Sequence, residues 1–249
     1  IYAYQNADSL FGIFNAAAAI HGKASSAFHE RVARRIAAWR EERDERNRHA
    51  ARLAVEPGRP GAISPRHLCA AIGRLINEED IVINEAIRNA AAVLEHIPRS
   101  RPLTYMSAAG GGLGYSGGMA LGTKLARPPR RVIQFVGDGG FHFSTPASVF
   151  AVAQRYRLPI LTIVMDNGGW QAVKEAVLRV YPDGSARQEN EFQARLQGEH
   201  RHFEQVGQAF GAHGECVSDP AGLAPALQRS FEALDSGRAA VLNVQVGPQ

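Results

Sequence analysis

Short apolar runs alternate with amphipathic stretches from about residue 61 to the end of the chain. Two of these runs, residues 132–136 (VIQFV) and 160–165 (ILTIVM), are almost continuously apolar, which is typical of parallel strands buried on both faces. Further strands are predicted at residues 80–84, 103–106, 213–217 and 239–246. The pattern predicts an α/β fold with a doubly wound, mainly parallel six-stranded sheet and helices on both faces.

Helical periodicity fills the intervals between the predicted strands. Ser64-Pro65 has the N-cap residue and the first-turn proline that often begin a helix. Helices are predicted at residues 64–76, 85–96, 144–156, 202–210 and 220–234, and a helix of small residues is predicted to end near residue 125.

The first quarter of the chain has a different pattern. Residues 31–52 carry opposite charges at spacings of three and four, which indicates an exposed helix laced with ion pairs. Residues 56–61 (EPGRPG) would end that helix and form a linker. The chain is therefore divided into residues 1–60 and an α/β domain at residues 61–249.

Composition narrows the class of protein. The 249 residues are 45% hydrophobic, which is enough for a large core, and the formal net charge is only +4. No apolar run approaches about 18 residues, so neither a membrane span nor a signal peptide is predicted and a cytoplasmic location is expected. Cys69 and Cys216 are expected to be reduced core thiols. No basic stripe with interleaved aromatic residues indicates a nucleic-acid partner.

Candidate chemistry follows the two strongest strands. Gly137-Asp138-Gly139-Gly140 comes after the first and Asp166-Asn167-Gly168-Gly169-Trp170 after the second, so both motifs lie at carboxyl ends of strands, where α/β sheets bind ligands. A carboxylate and an amide oxygen suit magnesium, which takes its other oxygens from water and substrate phosphates. The motifs predict a magnesium and diphosphate site. Asp, Asn and Gly also favour simple turns, which is the alternative interpretation.

A glycine-rich run at residues 108–118 (AAGGGLGYSGG) is the second candidate element. A backbone so free of side chains would let a flat ring lie against it. The alternative is a nicotinamide or flavin site, but the run follows no long strand and lacks a well-placed acidic residue after it.

These motifs resemble a known family. Gly-Asp-Gly, followed after about 30 residues by Asn with a strand on either side, resembles the diphosphate motif of thiamine diphosphate enzymes, most of all the acetolactate synthase and benzoylformate decarboxylase group. The resemblance implies that Asp138, Asn167 and the main-chain carbonyl of Gly169 hold magnesium. It implies that these residues bind the cofactor: Gly111, Gly112, Leu113, Gly137, Asp138, Gly139, Gly140, Asn167, Gly169 and Trp170.

The glycine-rich run is similar to the family's Gly-Gly-x-Leu-Gly segment. By that likeness Leu113 wedges the cofactor into its bent conformation, and the carbonyl of Gly111 accepts a hydrogen bond from the aminopyrimidine. The resemblance also implies that the glutamate that activates the cofactor belongs to a separate pyrimidine-binding domain, which is not recognised in this sequence. The chain is therefore expected to be the C-terminal half of a longer polypeptide or one subunit of a split enzyme. Residues 1–60 would be the tail of a middle domain and a helical linker, and residues 61–249 the diphosphate-binding domain.

The resemblance implies decarboxylation of a 2-oxo acid, carboligation, or both, in a dimer or tetramer whose site is shared between subunits. One alternative is hydrolysis or lysis of a C–C bond in a diketone or a 2-hydroxyketone. Another is a catalytically silent, cofactor-binding regulatory homologue. Residues 179–198 have little periodicity and are predicted to be a loop that covers the site and contributes to the substrate pocket.

Overall fold

The computed structural model describes residues 9–107, 112–189, 191–192, 194–196 and 201–247, with side chains from residue 15 onward. The chain divides into two compact units, Ile1–His49 and Ala50–Gln249. The first unit holds α1 (Ser9–Lys23) and most of α2 (Ser26–Leu53), so the predicted charged helix is confirmed. Ion pairs such as that of Arg48 with Glu45, at 2.7 Å, line its exposed surface.

The second unit is built on a six-stranded sheet. Its strands are β3 (Ile81–Glu85), β4 (Tyr105–Met106), β5 (Val132–Gly137), β6 (Leu161–Asp166), β7 (His213–Val217) and β8 (Ala240–Gln245). They lie in the order β4-β3-β5-β6-β8-β7, and every pairing between neighbours is parallel. The predicted doubly wound, mainly parallel sheet is confirmed. The chain runs outward from β3 to β4 and then returns to β5 on the other side, which makes the β3–β5 boundary a switch point where such folds bind ligands.

Helices cover both faces of the sheet. The helices of this unit are α3 (Pro65–Gly73), α4 (Ala90–His96), α5 (Ser116–Ala126), α6 (Asp138–Phe143), α7 (Pro146–Tyr156), α8 (Gln171–Val180), α9 (Ser185–Gln188), α10 (Phe203–Gln208) and α11 (Pro220–Asp235). Ile133 and Phe135 of β5 pack with α3, α4 and α11 on one face. Val132 and Val136 point the other way, toward α5, α7 and α10. Because alternate residues fill both layers, the strands contain almost no exposed position.

Three predicted boundaries need correction. The helix predicted at residues 144–156 begins two residues later, at Pro146, because Thr145 has a left-handed φ of 49° and Pro146 disfavours helix at the residue before it. A separate short helix, α6, begins at Asp138 and ends at Phe143, where only a turn was predicted. The helix predicted at residues 85–96 begins later, since Glu85 ends β3 and a 3₁₀ turn, Ile87–Asn89, precedes α4.

The predicted linker and the predicted loop both contain regular structure. β1 (Gly58–Arg59) pairs with β2 (Ala62–Ile63) in a small antiparallel hairpin. Within residues 179–198, the first two belong to α8, and α9 forms a further helical turn. Residues 190, 193, 197 and 198 lie outside the described residues. In the described part of the chain, no helix combines the length and apolarity needed to cross a membrane.

A buried polar network ties the sheet to α5. Thr162 Oγ1 donates to Gln134 Oε1 at 2.8 Å, and Gln134 Nε2 donates to Ser116 Oγ at 2.7 Å. All three side chains are buried. The network orients α5, whose first residue lies next to the glycine-rich segment.

Replacing Thr162 with valine is expected to lower the free energy of unfolding by about 1–3 kcal/mol, because Gln134 Oε1 loses its buried donor. Chemical denaturation measures the change. Thr123→Val is the matched control, since the Thr123 hydroxyl contacts only a weak acceptor, the Met106 sulfur at 3.6 Å, among the described atoms. Equal losses in the two variants would contradict the predicted cost of an unpaired Gln134 oxygen.

Candidate functional site

Asp138 lies at the carboxyl end of β5, at the first position of α6. Its side chain is buried and is held by two backbone N–H groups: Gly139 donates to Oδ1 at 2.9 Å and Gly168 donates to Oδ2 at 2.8 Å. The second bond crosses from β5 to the segment after β6. The structure therefore brings the two motifs together, as the position of both at strand ends indicated.

A second buried carboxylate lies beside Asp138. Burial, and then the negative charge of Asp166, raise the pKa of the Asp138 carboxyl from 3.8 to about 7. Two carboxylates side by side in a buried site repel each other, so a cation at this place would stabilise both. The electrostatics of the site favour a positively charged ligand.

Arg201 partly balances this charge. Its Nε donates to Asp166 Oδ1 at 2.9 Å and to Oδ2 at 3.1 Å, and its side chain is mostly buried. The sequence interpretation left residues 200–202 on the surface, which is wrong for Arg201. His200 lies outside the described residues. The pairing gives Asp166 a positively charged partner from the chain itself.

Two polar atoms near Asp138 are buried without a hydrogen-bond partner among the described residues. One is the acceptor Asn167 Oδ1, and the other is the donor Trp170 Nε1. A buried acceptor beside a carboxylate suits a cation, whereas a buried N–H beside the glycines of α6 suits an anion. Such a pair of unsatisfied atoms fits a ligand that carries both a metal ion and a phosphate.

Glycines make room at the same place. A Cβ on Gly139 would overlap the indole of Trp170, and a Cβ on Gly140 would lie 3.1 Å from Glu85 Oε1. Gly169 has a φ of 141°, and its Cβ would lie against the Ala194 carbonyl oxygen. Larger residues at these three positions would displace neighbouring atoms.

Gly169 is also where the chain after α9 returns to the site. It forms an isolated antiparallel bridge with Arg195. Trp170 N–H donates to the Ala194 carbonyl at 2.8 Å, and Leu196 N–H donates to the Gly168 carbonyl at 3.0 Å. The backbone around Gly169 is therefore held by residues 194–196.

The site opens into a cleft of about 370 Å³. Its lining includes Glu85, Leu113, Gly137, Asp138, Gly139, Gly140, Asn167, Gly169 and Trp170, with an apolar wall from Ile87, Val173 and Ala176. Leu113 is 37% exposed. Gly112 lies in the described part of the chain and has open space where a Cβ would be, whereas Gly111 lies outside it.

The donor set fits magnesium. In the described part of the chain, no three side chains of His, Cys, Asp or Glu come together as a metal cluster, so the cleft lacks the ligands of a zinc site. It offers instead the Asp138 carboxylate and the Asn167 amide oxygen, which are oxygen ligands of the kind that water and diphosphate oxygens complete to a magnesium shell. The residues present thus fit a magnesium diphosphate.

Two residues of this site were missed in the sequence. Glu85 and Arg201 both reach it, and Asp166 was quoted only as part of a motif. An acidic residue directly after a buried apolar run, as in IVINE at residues 81–85, is the signal that could have identified Glu85. Nothing in the local sequence marks Arg201, because it pairs with a residue 35 positions earlier.

Known proteins share these features. Residues 88–244 match the family described as thiamine pyrophosphate enzyme, C-terminal TPP binding domain. A probable acetolactate synthase of Mycobacterium bovis is 32% identical over 187 residues, which are 75% of this chain and 32% of that protein. A benzoylformate decarboxylase of Pseudomonas aeruginosa is 31% identical over 114 residues, 46% of this chain and 21% of that protein.

A solved structure has the same fold. The thiamine diphosphate-dependent 4-hydroxybenzoylformate decarboxylase of Rhodococcus jostii superposes with a TM-score of 0.66 at 21% identity, covering 76% of this chain and 33% of that one. The chain spans about a third of the length of the acetolactate synthase. The resemblance read from Asp138, Asn167 and the glycine-rich run is confirmed at the level of the family. This chain belongs to the thiamine pyrophosphate enzymes and carries their C-terminal, thiamine diphosphate-binding domain.

Proposed function

We propose that this chain binds thiamine diphosphate through magnesium, and that the enzyme containing it decarboxylates 2-oxo acids, with or without carboligation. The proposal is carried by Asn167 Oδ1, which is buried without a hydrogen-bond partner among the described residues, in a residue that lines the same cleft as Asp138. Trp170 lines the same cleft, and its indole N–H could donate to an anion there. A cation and an anion are thus both accommodated within one cleft.

Asp138, Asn167 and the carbonyl of Gly169 would hold the magnesium ion. The bonds from Gly139 and Gly168 fix the Asp138 carboxylate in place before any metal arrives. Little rearrangement is then needed on binding, which favours affinity. The diphosphate would lie against Gly137, Gly139 and Gly140, with Trp170 Nε1 as a donor.

Leu113 would support the cofactor from the far side of the cleft. Its partly exposed side chain is available for a bulky apolar contact. The carbonyl of Gly111 as partner of the aminopyrimidine stays a prediction, because that residue lies outside the described ones. When bound, the cofactor supplies the carbanion that attacks a 2-oxo acid and the electron sink on which carbon dioxide leaves. The residues of this chain would anchor the cofactor, orient it and shield it from water.

Two groups of residues would exclude water from the cleft. Ile87, Val173 and Ala176 form the apolar one, and residues 194–196 close against the metal-binding backbone. Exclusion of water protects a carbanion from premature protonation. The side chain of the 2-oxo acid would meet the apolar wall, which favours an uncharged substituent.

The rest of the catalytic apparatus would come from another domain. We infer a pyrimidine-binding domain that carries the activating glutamate, in the same longer polypeptide or in another subunit of a dimer or tetramer. The supporting observation is the one-third coverage of the full-length acetolactate synthase. A closed site shared between subunits is consistent with a symmetric assembly.

The complete protein, loaded with thiamine diphosphate and magnesium, is expected to release carbon dioxide from at least one member of a panel of aliphatic, branched and aromatic 2-oxo acids. Aldehyde as the other product indicates decarboxylation alone, and an acyloin or acetohydroxy acid indicates carboligation. Cofactor binding without carbon dioxide release from any member would overturn the proposal. Turnover of a diketone or 2-hydroxyketone would then identify a C–C lyase, and no turnover a silent homologue.

A further inference from the structure

Glu85 is a buried carboxylate to which the proposed chemistry assigns no role. It ends β3 and is only 1% exposed. Oε2 accepts from the Ser116 N–H at 2.9 Å, and Oε1 accepts from the Gly114 N–H. Both donors belong to the segment around Leu113, which we call the leucine loop (residues 112–116).

A hydrogen bond and a close backbone approach also position the leucine loop. Tyr115 OH donates to the main-chain carbonyl of Asn84 at 2.9 Å, one residue before Glu85. Gly114 has a φ of 89°, and a Cβ there would lie 2.6 Å from the Phe143 carbonyl oxygen at the end of α6. The loop thus lies between the end of β3 and the end of α6, and Leu113 is adjacent to the point held by Glu85.

The charge of Glu85 is compensated where it lies. Its two acceptor bonds are to N–H groups at the start of α5, where the helix dipole favours an anion. The same carboxylate faces the turn of α6, since a Cβ on Gly140 would approach Oε1 to 3.1 Å. Glu85 therefore connects the two parts of the cleft that the proposed function assigns to the diphosphate and to the bend of the cofactor.

We propose that Glu85 is a positioning residue, which fixes Leu113 at the distance from the diphosphate site that the bent cofactor requires. The inference rests on the proposed function and adds a residue to it. It acts through the backbone of the leucine loop, without contact between Glu85 and the reacting atoms. A glutamine cannot replace it, because its NH₂ group would face one of the two N–H donors.

Glu85→Gln is expected to lower kcat about 100-fold, the effect of a small misplacement in a closed site. The Kd of thiamine diphosphate, measured by calorimetry in the complete protein with magnesium, should change by less than about tenfold because Asp138 and Asn167 remain. Exchange of the amide hydrogens of residues 112–118, followed by mass spectrometry without cofactor, should be faster in the variant. This last readout does not depend on activity.

A double-mutant cycle with Leu113→Ala separates positioning from general stabilisation. If Glu85 acts through Leu113, adding Glu85→Gln to Leu113→Ala should lower kcat by less than about threefold further. Equal fold-losses in both backgrounds would overturn the inference, as would unchanged exchange of residues 112–118. A Glu85→Gln protein that binds cofactor and turns over like the wild type would also overturn it.

Two further variants keep the test decisive. Glu78→Gln removes an exposed glutamate close in sequence to Glu85. Its kcat, its Kd for thiamine diphosphate and its amide exchange are expected to match those of the wild type. If Glu85→Gln does not fold, Tyr115→Phe is the substitute, because it removes the hydrogen bond between the same loop and Asn84. It should lower kcat and speed amide exchange of residues 112–118 in the same way, but by smaller factors. If kcat and amide exchange in Tyr115→Phe then equalled those of the wild type, the inference would be rejected. A wild-type protein that binds no thiamine diphosphate would instead reject the proposed function.

Discussion

Replacing Asp138 with alanine is expected to weaken magnesium-dependent binding of thiamine diphosphate by more than about 100-fold. Loss of a residue that only orients a metal ligand already costs about 10- to 100-fold in affinity, and Asp138 would be a ligand itself. Calorimetric titration of the cofactor with magnesium into the complete protein measures the effect. Binding by the wild type must also vanish when the metal is chelated.

The fold of the Asp138→Ala variant should survive. Two hydrogen bonds from Gly139 and Gly168 are lost, but so is the repulsion between Asp138 and Asp166, and these changes oppose each other. Asp183→Ala, which removes an exposed carboxylate paired with Arg187, is the control and should bind cofactor normally. If Asp138→Ala bound the cofactor within tenfold of the wild type, Asp138 would not be a metal ligand.

Gly169→Ala is expected to have the second large effect, on both stability and cofactor binding. The backbone there has a φ of 141°, and a Cβ would meet the Ala194 carbonyl oxygen and lie 2.9 Å from Arg195 Cα. We expect a loss of about 3 kcal/mol or more in the free energy of unfolding, since strain and overpacking add. The displaced Gly169 carbonyl should weaken cofactor binding as well.

The neighbouring glycine offers a matched control. Gly168 also has a positive φ, of 92°, but among the described residues a Cβ there would have only Arg201 Nη2 within 4 Å, at 3.8 Å. Gly168→Ala should therefore cost only the backbone strain, about 1–2 kcal/mol. Chemical denaturation compares the free energies of unfolding of the Gly169→Ala and Gly168→Ala variants, and calorimetry compares their affinities for the cofactor. Equal losses would mean that the contact with residues 194–196 does not constrain the site.

Strands and their end residues were predictable because both depend on local pattern. Continuous apolar runs require burial on both faces, and parallel strands bring their carboxyl ends to one edge. These two rules were enough to place Asp138 near Asn167. The break between α6 and α7 was also encoded locally, in Thr145-Pro146, but the helical periodicity of residues 146–156 obscured it.

Interactions between distant segments were not predictable in this way. The pairing of Arg201 with Asp166 and the bonds from Glu85 to the leucine loop join residues about 30 positions apart. No period or motif in the sequence records which buried carboxylate meets which donor. The bridge between Gly169 and Arg195 is of the same kind, because it depends on how the chain after α9 folds back.

The buried pair of Asp138 and Asp166 has a consequence for the lifetime of the protein in a cell. Their mutual repulsion is absent from the unfolded chain, so it favours unfolding until a cation binds. Each tenfold excess of ligand over its Kd adds about 1.4 kcal/mol to the stability of the folded form. Supply of thiamine diphosphate would thereby raise the fraction of the chain that stays folded and escapes proteolysis, as well as the fraction that is active.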